Sequence, residues 1–167
     1  RVELHVASAE NMPMIQTSSV DIATIILAVQ NIEKVHLVFA ECARILKPDG
    51  RLLVVMNHPA FRIPKNSSWG WDAETQTEYR RIDQYLSEAK VKIDMHPGQK
   101  KSQSTVSFHR PLQVYVKHLS KAGFGINKLE EWISNRQGPK GKRFAVSEKA
   151  RKEIPLFLFI EAKKFIS

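Results

Sequence analysis

The pattern of hydrophobic and polar positions predicts a strand, a helix and a second strand in the first third of the chain. Residues 21–28 form a run of apolar, largely β-branched side chains, which is typical of a strand buried in a parallel sheet. Residues 33–47 place their apolar side chains along one helical stripe, made of Val35, Val38, Phe39, Cys42, Ile45 and Leu46. Pro48 and Gly50 end this helix, and residues 51–56 form a second buried strand. Because such a unit folds as a right-handed crossover, we expect two parallel strands at the sheet centre with the helix on one face.

The rest of the chain continues this alternation, and we expect one α/β domain over residues 1–167. Residues 61–110 interrupt the regular pattern and are predicted to be an insertion. The further predicted elements are a short strand over 3–7, an irregular linker over 64–71, a helix over 72–89, a hairpin of strands 91–94 and 105–108 around Pro97–Gly98, a helix over 111–122, and final strands over 124–133 and 156–165.

Several short segments in the first sixty residues carry a resemblance to a known family. They are Ala9–Pro13 (AENMP), Asp21, Leu27–Ile32 and Ala43–Leu52 (ARILKPDGRL). In this order and spacing they resemble the class I S-adenosylmethionine-dependent methyltransferases, in the small-molecule branch that includes the ubiquinone/menaquinone methyltransferases. That family usually has Gly where this chain has Asp49. A weaker similarity covers His109–Leu112, Tyr115, Leu119 and Ala122–Phe124.

The resemblance implies a Rossmann-like, doubly wound and mostly parallel sheet, with an inserted helix or hairpin that covers the substrate site. It also implies S-adenosylmethionine as cofactor. Ser8 and Ala9 match the position that meets the adenine, although Asp or Asn is commoner there than Ser. Ile26 and Leu27 match the end of the family's fourth strand, which touches the cofactor through its backbone.

The family's glycine-rich loop and its ribose-binding acid have no counterpart in this sequence. We therefore expect the chain to be the C-terminal portion of the fold, incomplete at its N-terminus, with weak or no binding of S-adenosylmethionine. The strand over 21–28 is then expected to have an open edge, through which the chain can self-associate.

Ligands bind at the carboxyl ends of parallel strands, so polar residues after the predicted strands are candidate catalytic residues. His58 and His109 are the best placed, as general bases or as turn residues bonded to the backbone. The inserted segment carries aromatic residues that either line the cover or pack within it, namely Trp69, Trp71, Tyr79 and Tyr85. The remaining histidines lack metal-ligand spacing, and we predict no metal.

Composition and charge limit the kinds of binding partner and environment that we expect for this chain. The net charge is +9, but much of it lies in residues 136–152, which we interpret either as a solvated loop or as an edge that binds a polyanion. A single cysteine, Cys42, excludes an internal disulfide and falls on the apolar helix stripe, where packing is its expected role. No apolar run approaches the roughly 20 residues of a membrane span, and we expect a cytoplasmic protein.

The leading interpretation is methyl transfer to a small or lipophilic acceptor. Residues 28–32 read AVQNI, which argues against the amino-directed nucleic-acid methyltransferases, so nucleic acid is not the favoured substrate. The alternative is a non-catalytic module that binds a partner or RNA through its basic edge. A nicotinamide dehydrogenase shares the fold class, but nothing in the sequence supports hydride chemistry.

Overall fold

The computed structural model describes residues 2–94, 104–138 and 140–165. A short 3-10 turn at Val29–Asn31 follows the first strand. The strands and helices are, in chain order, β1 (Val20–Ile26), α1 (Val35–Ile45), β2 (Leu46–Asn57), β3 (Ser67–Asp72), β4 (Thr77–Ile82), β5 (Ala89–Asp94), β6 (Ser104–His109), α2 (Leu112–Lys121), β7 (Phe124–Trp132), α3 (Phe144–Glu153) and β8 (Phe157–Lys164).

Four strands form the central sheet in the order β1-β2-β8-β7. As predicted, β1 and β2 run parallel, with Ile25 opposite Val54. One expectation is corrected, because the sheet is mixed: β8 runs antiparallel to both of its neighbours, β2 and β7. The strand over Ile22–Leu27 lies at the edge of the sheet and not at its centre, because none of the described residues pairs with its second side. This position agrees with the other expectation for this strand, that it has an open edge.

The core lies between one face of this sheet and two helices. Helix α1 presents the predicted stripe, and both Phe39 and Leu46 are fully buried, as expected. Helix α2 adds Tyr115 and Leu119 to the same cluster. Cys42 is also buried there, and burial raises the pKa of its thiol to about 11, so this cysteine is an inert packing residue.

The described residues of the inserted segment, 61–94 and 104–110, form two hairpins. Strands β5 and β6 pair antiparallel, which confirms the predicted hairpin, although Pro97–Gly98 lie outside the described residues. The linker over 64–71 and the helix over 72–89 are wrong, because β3 and β4 pair antiparallel there, with Trp69 opposite Arg80. Burial along β4 alternates with a period of two, which is a strand pattern.

Two further predictions are corrected. Residues 3–7 form no strand, since their side chains are exposed and they pair with none of the described strands, the open edge of β1 included. The basic stretch over 136–152 is not a loop throughout, because α3 occupies its second half and packs on β4. There, the Arg143 guanidinium lies 4.2 Å from the centre of the Trp71 ring.

A buried ion pair holds the segment before β1 against α1. Glu41 is 8% exposed, and its Oε1 accepts the Met12 backbone N–H at 2.6 Å and an Arg44 Nη2 bond at 2.7 Å. Arg44 also donates to the Met12 carbonyl and to the Thr17 hydroxyl. The hydrogen bond from Arg44 is the main reason that the pKa of Glu41 falls from 4.5 to about 2.

This pair predicts a pH-dependent stability. A carboxyl whose pKa is lowered by folding stabilises the protein above its unfolded pKa of 4.5, and that contribution is lost as the pH falls towards 2. With allowance for solvent screening, we expect Glu41→Gln to lower the free energy of unfolding by about 1–2 kcal/mol at pH 7. The difference between variant and wild type should shrink between pH 4.5 and pH 2 in urea denaturation. Glu74→Gln, in an exposed turn, is the control, and an equal loss in both variants contradicts the prediction.

Candidate active site

A large cavity lies at the carboxyl ends of β1 and β2. Its volume is about 580 Å³, which is within the range of small-molecule sites. Leu27 follows β1, Asn57 ends β2, and Gln30 lies in the 3-10 turn between them. The turn after β2, the hairpin β3–β4, α3 with its flanking segments and the start of β8 complete the wall. Their lining residues are Arg62, Trp69, Arg80, Ser134, Arg136, Arg151, Leu156 and Phe157.

Four arginines dominate the charge of this cavity, and we call Arg62, Arg80, Arg136 and Arg151 the arginine cluster. The lining contains no Asp or Glu. Burial, followed by repulsion from Arg136, lowers the pKa of Arg62. Burial, followed by repulsion from Arg62, lowers the pKa of Arg80. The guanidiniums stay charged at neutral pH, so the cavity is strongly positive.

Aromatic rings hold three of these guanidiniums in place, those of Arg62, Arg80 and Arg151. The Arg80 and Arg151 guanidinium carbons lie 5.2 and 5.7 Å from the Trp69 ring centre, and that of Arg62 lies 5.1 Å from the Phe157 ring centre. Arg80 also donates to the Phe61 carbonyl at 2.8 Å and to the Ser67 hydroxyl at 2.9 Å. These contacts orient the arginines before any ligand arrives.

Of the four residues that the resemblance gives to the cofactor, Leu27 lines this cavity. Leu27 adopts a left-handed backbone conformation (φ 52°), donates its N–H to the Val55 carbonyl and accepts a bond from Gln30 Nε2. Ile26 precedes it and is 65% exposed. Ser8 and Ala9 lie in an exposed turn before Met12, where the Ser8 hydroxyl oxygen accepts the Glu10 N–H. Ile26 and Leu27 thus form an apolar strand end, and Ser8 provides an exposed hydroxyl in a separate turn.

His58 directly follows β2, and both of its ring nitrogens are occupied. Nδ1 accepts the backbone N–H of Ala60 at 3.1 Å, which leaves the proton on Nε2, 2.8 Å from Glu131 Oε1. The ring is 5% exposed. This geometry favours a structural role for His58 in the turn after the strand.

His109 ends β6 and lines a small recess of about 20 Å³ that shares Gln30, Asn57 and Arg62 with the main cavity. Its Nε2 lies 2.8 Å from the Tyr85 carbonyl oxygen, which can only accept, so Nε2 carries a proton. Nδ1 of the neutral ring is then the proton-accepting atom. His109 is as buried as His58, at 5% exposed, and it does not line the main cavity itself. Of the two candidate histidines it is still the better general base, because Nδ1 of His58 already accepts a backbone N–H.

The inserted aromatic residues divide between these sites. Trp69 lines the main cavity, and Trp71 packs under Arg143. Tyr85 caps α2, because its hydroxyl oxygen accepts the Leu112 N–H at 3.1 Å. Tyr79 is 47% exposed on the outer side of β4.

Within residues 2–94, 104–138 and 140–165, no three His, Cys, Asp or Glu side chains are placed to hold a metal ion. In the same ranges, no helix combines the length and the apolar character that crossing a membrane requires.

Sequence reasoning missed the arginine cluster. Its members are far apart in the chain, and they meet only because β4 and the region around α3 fold over the end of β2. One local signal was available, since the alternation of Glu78, Arg80 and Ile82 indicates a strand with an inward-facing arginine.

Comparison with known proteins identifies the fold. Residues 1–54 match a family model described as a methyltransferase domain. A solved S-adenosylmethionine-dependent methyltransferase from Mesorhizobium loti is 26% identical, with a TM-score of 0.73 over 95% of this chain and 68% of that chain. A putative S-adenosylmethionine-dependent methyltransferase from Listeria monocytogenes is 22% identical, with a TM-score of 0.71 over 96% of this chain and 68% of that chain.

A more distant neighbour was crystallised with its methyl donor. The glycopeptide N-methyltransferase MtfA, in complex with S-adenosylmethionine, is 11% identical with a TM-score of 0.54 over 95% of this chain and 62% of that chain. No functionally curated protein has a significant sequence match to this chain. These likenesses confirm the predicted α/β, Rossmann-like fold of class I methyltransferases.

Proposed function

We propose that this chain supplies the acceptor cavity and one edge of the cofactor site of an S-adenosylmethionine-dependent methyltransferase that acts on a small molecule. The observation that carries this proposal is the cavity of about 580 Å³ at the carboxyl ends of β1 and β2. In open α/β sheets that is where ligands bind. The methyltransferase family match over residues 1–54 and the methyltransferase neighbours support the reaction type.

The residues present fit the adenosine end of the cofactor. Ile26 and Leu27 form an exposed apolar strand end, which suits a planar base, and the Ser8 hydroxyl remains free to donate a hydrogen bond. When bound, S-adenosylmethionine supplies a sulfonium methyl whose carbon–sulfur bond breaks as the acceptor's lone pair forms the new bond, which leaves S-adenosylhomocysteine and an acceptor proton to be removed.

The rest of the work assigned to this chain is alignment and proton removal. The hairpins within residues 61–110 cover the acceptor and limit its orientations, which is the main requirement for an already activated methyl group. His109 is the residue placed to accept the acceptor's proton, at Nδ1, because the Tyr85 carbonyl keeps the other proton on Nε2. His58 holds the turn after β2.

The cofactor half of this proposal is tested by titrating the isotope-labelled protein with S-adenosylmethionine and following backbone amide signals by NMR. We expect weak binding that shifts the signals of Ser8, Ala9, Ile26 and Leu27. Leu27→Asn keeps a residue that tolerates a positive φ but removes apolar contact, and it should weaken binding about tenfold. Leu37→Asn, at a half-exposed leucine of α1, is the matched control. Shifts confined to the opposite end of β1, near Val20, contradict the proposal.

The reaction itself is tested with S-adenosylmethionine labelled in its methyl group. The protein is incubated with a filtered extract of small metabolites, or with total RNA, and the label is followed. We expect label in a small metabolite. Label in RNA alone overturns the assignment of a small acceptor.

A further inference from the structure

The arginine cluster is a concentration of positive charge that the described protein does not neutralise. The described residues provide no carboxylate within ion-pair distance of Arg62, Arg80, Arg136 or Arg151. This contrasts with Arg44, Arg51, Arg81 and Arg110, each of which lies within 4.0 Å of a carboxylate oxygen. Five described arginines lack an acidic partner within the described ranges: the four that line the cavity, and Arg143, which lies outside it on the Trp71 ring.

The carboxylates near α3 leave this charge in place. Glu148 lies one helical turn before Arg151, but its Oε1 accepts the Gly138 N–H at 2.9 Å. Glu78 lines an adjoining depression together with Arg151 and forms no ion pair with it. The Nε of Arg151 is buried and has no hydrogen-bond partner among the described residues. A buried donor without a partner is costly, and the Arg151 guanidinium also lacks a carboxylate partner among the described residues.

The other lining residues indicate the chemistry of the uncharged part of the ligand. Trp69, Phe157, Leu27 and Leu156 supply apolar and aromatic surface, and Gln30, Asn57 and Ser134 supply neutral polar groups. Guanidinium groups bind carboxylate and phosphate oxygens through paired hydrogen bonds. A cavity of about 580 Å³ holds a small molecule and not a folded nucleic acid.

We propose that this cavity selects a small methyl acceptor with more than one negative charge, whose carboxylate or phosphate groups bind the arginine cluster. That the ligand is a methyl acceptor rests on the proposed function, whereas the anion site rests on the geometry alone. With its anionic end at the arginines, the acceptor extends towards Leu27 and Asn57, at the strand ends that line the same cavity.

The test is a calorimetric titration of the full chain at constant ionic strength, without S-adenosylmethionine. The probes are citrate, pyrophosphate and a short oligouridylate. We expect citrate or pyrophosphate to bind, and we expect Arg136→Gln and Arg151→Gln to weaken that binding at least about tenfold, since each removes a charge-assisted contact. The tighter of the two small anions distinguishes a carboxylate acceptor from a phosphorylated one.

Arg81→Gln is the matched control, because Arg81 is the neighbour of Arg80 on the opposite face of β4 and loses the same charge. It should bind both small anions like the wild type. The inference is overturned if the folded protein binds neither small anion, or if all three variants bind the small anions equally well. Binding of the oligouridylate alone also overturns it, in favour of a nucleic-acid surface.

The outcomes separate this inference from the proposed function. If the protein binds citrate at the arginine cluster but transfers no methyl group, the anion site is supported and the proposed reaction is contradicted. If the protein methylates a neutral metabolite and binds neither small anion, the proposed reaction is supported and the anion site is contradicted.

Discussion

Replacing Phe39 by Ala should lower the free energy of unfolding by about 3–5 kcal/mol. Phe39 is fully buried at the centre of α1, in the cluster that joins this helix to β2, β8 and α2. Removal of its ring leaves a cavity that two helices and a sheet cannot close, so the lost transfer energy and the cavity cost add. For a domain of this size, such a loss is a large part of the total stability. Urea denaturation followed by circular dichroism measures it.

The matched control for this prediction is Leu37→Ala. Leu37 lies two residues earlier on α1 and is 38% exposed, so its truncation should cost less than about 1 kcal/mol. A similar loss for both variants would mean that α1 is not packed as described. Phe39→Leu should recover much of the stability, because it retains most of the apolar volume.

Arg110→Met should cost about 2–4 kcal/mol and loosen the hairpin β5–β6. The Arg110 side chain is 6% exposed, and its Nη2 donates to the carbonyls of Ile32 and Glu33, at 3.0 Å for Ile32. It therefore ties the end of β6 to the segment between β1 and α1. Methionine retains the packing of the aliphatic stem but leaves both carbonyls without this donor.

Two measurements check this role of Arg110. Denaturation gives the loss of stability, and amide hydrogen exchange should become faster at Thr105 and Val106, whose oxygens both lie within hydrogen-bond distance of Asn31 Nδ2. Arg110→Lys should restore stability only in part, because an ammonium group cannot reproduce the planar fork of the guanidinium. Full rescue by lysine would show that charge alone matters there.

Periodic hydrophobic patterns predicted the elements that form the core. The stripe from Val35 to Ile45 has one face to bury, and the runs that became β1 and β2 have strand length and composition. Their parallel pairing followed from the crossover rule. The edge position of β1 could not be read from its own residues, because a buried-looking strand has the same composition whether or not a second neighbour is present.

The hairpin β3–β4 was predicted wrongly because two patterns compete in its sequence. Tyr79, Ile82, Tyr85 and Leu86 have helical spacing, but only Ile82 belongs to the inward row of β4. The other members of that row are Glu78 and Arg80, which are polar residues that a search for apolar periodicity ignores. Function explains this exception in our proposal, because an inward arginine is what an anion site requires.

The distance along the chain between the site residues limited the prediction of the site. His58 and His109 were found because each follows a predicted strand. The arginine cluster was not, because charge patterning along the sequence showed only the basic stretch over 136–152 and not its meeting with Arg62 and Arg80. Long-range electrostatic clusters depend on tertiary contacts that local patterns do not encode.

The placement of the arginine cluster also bears on how such a protein can diversify. Arg62 lies in the turn after β2, and Arg80 lies in the hairpin β3–β4. Arg136 precedes α3, and Arg151 lies within it. None of the four belongs to the four-stranded sheet or to the α1–α2 core. Substitutions at these positions therefore act mainly on ligand choice, although their effects on one another are coupled, because Arg80 and Arg151 share the Trp69 ring. Natural drift or directed evolution can exchange the charge preference of the cavity while the scaffold is inherited unchanged.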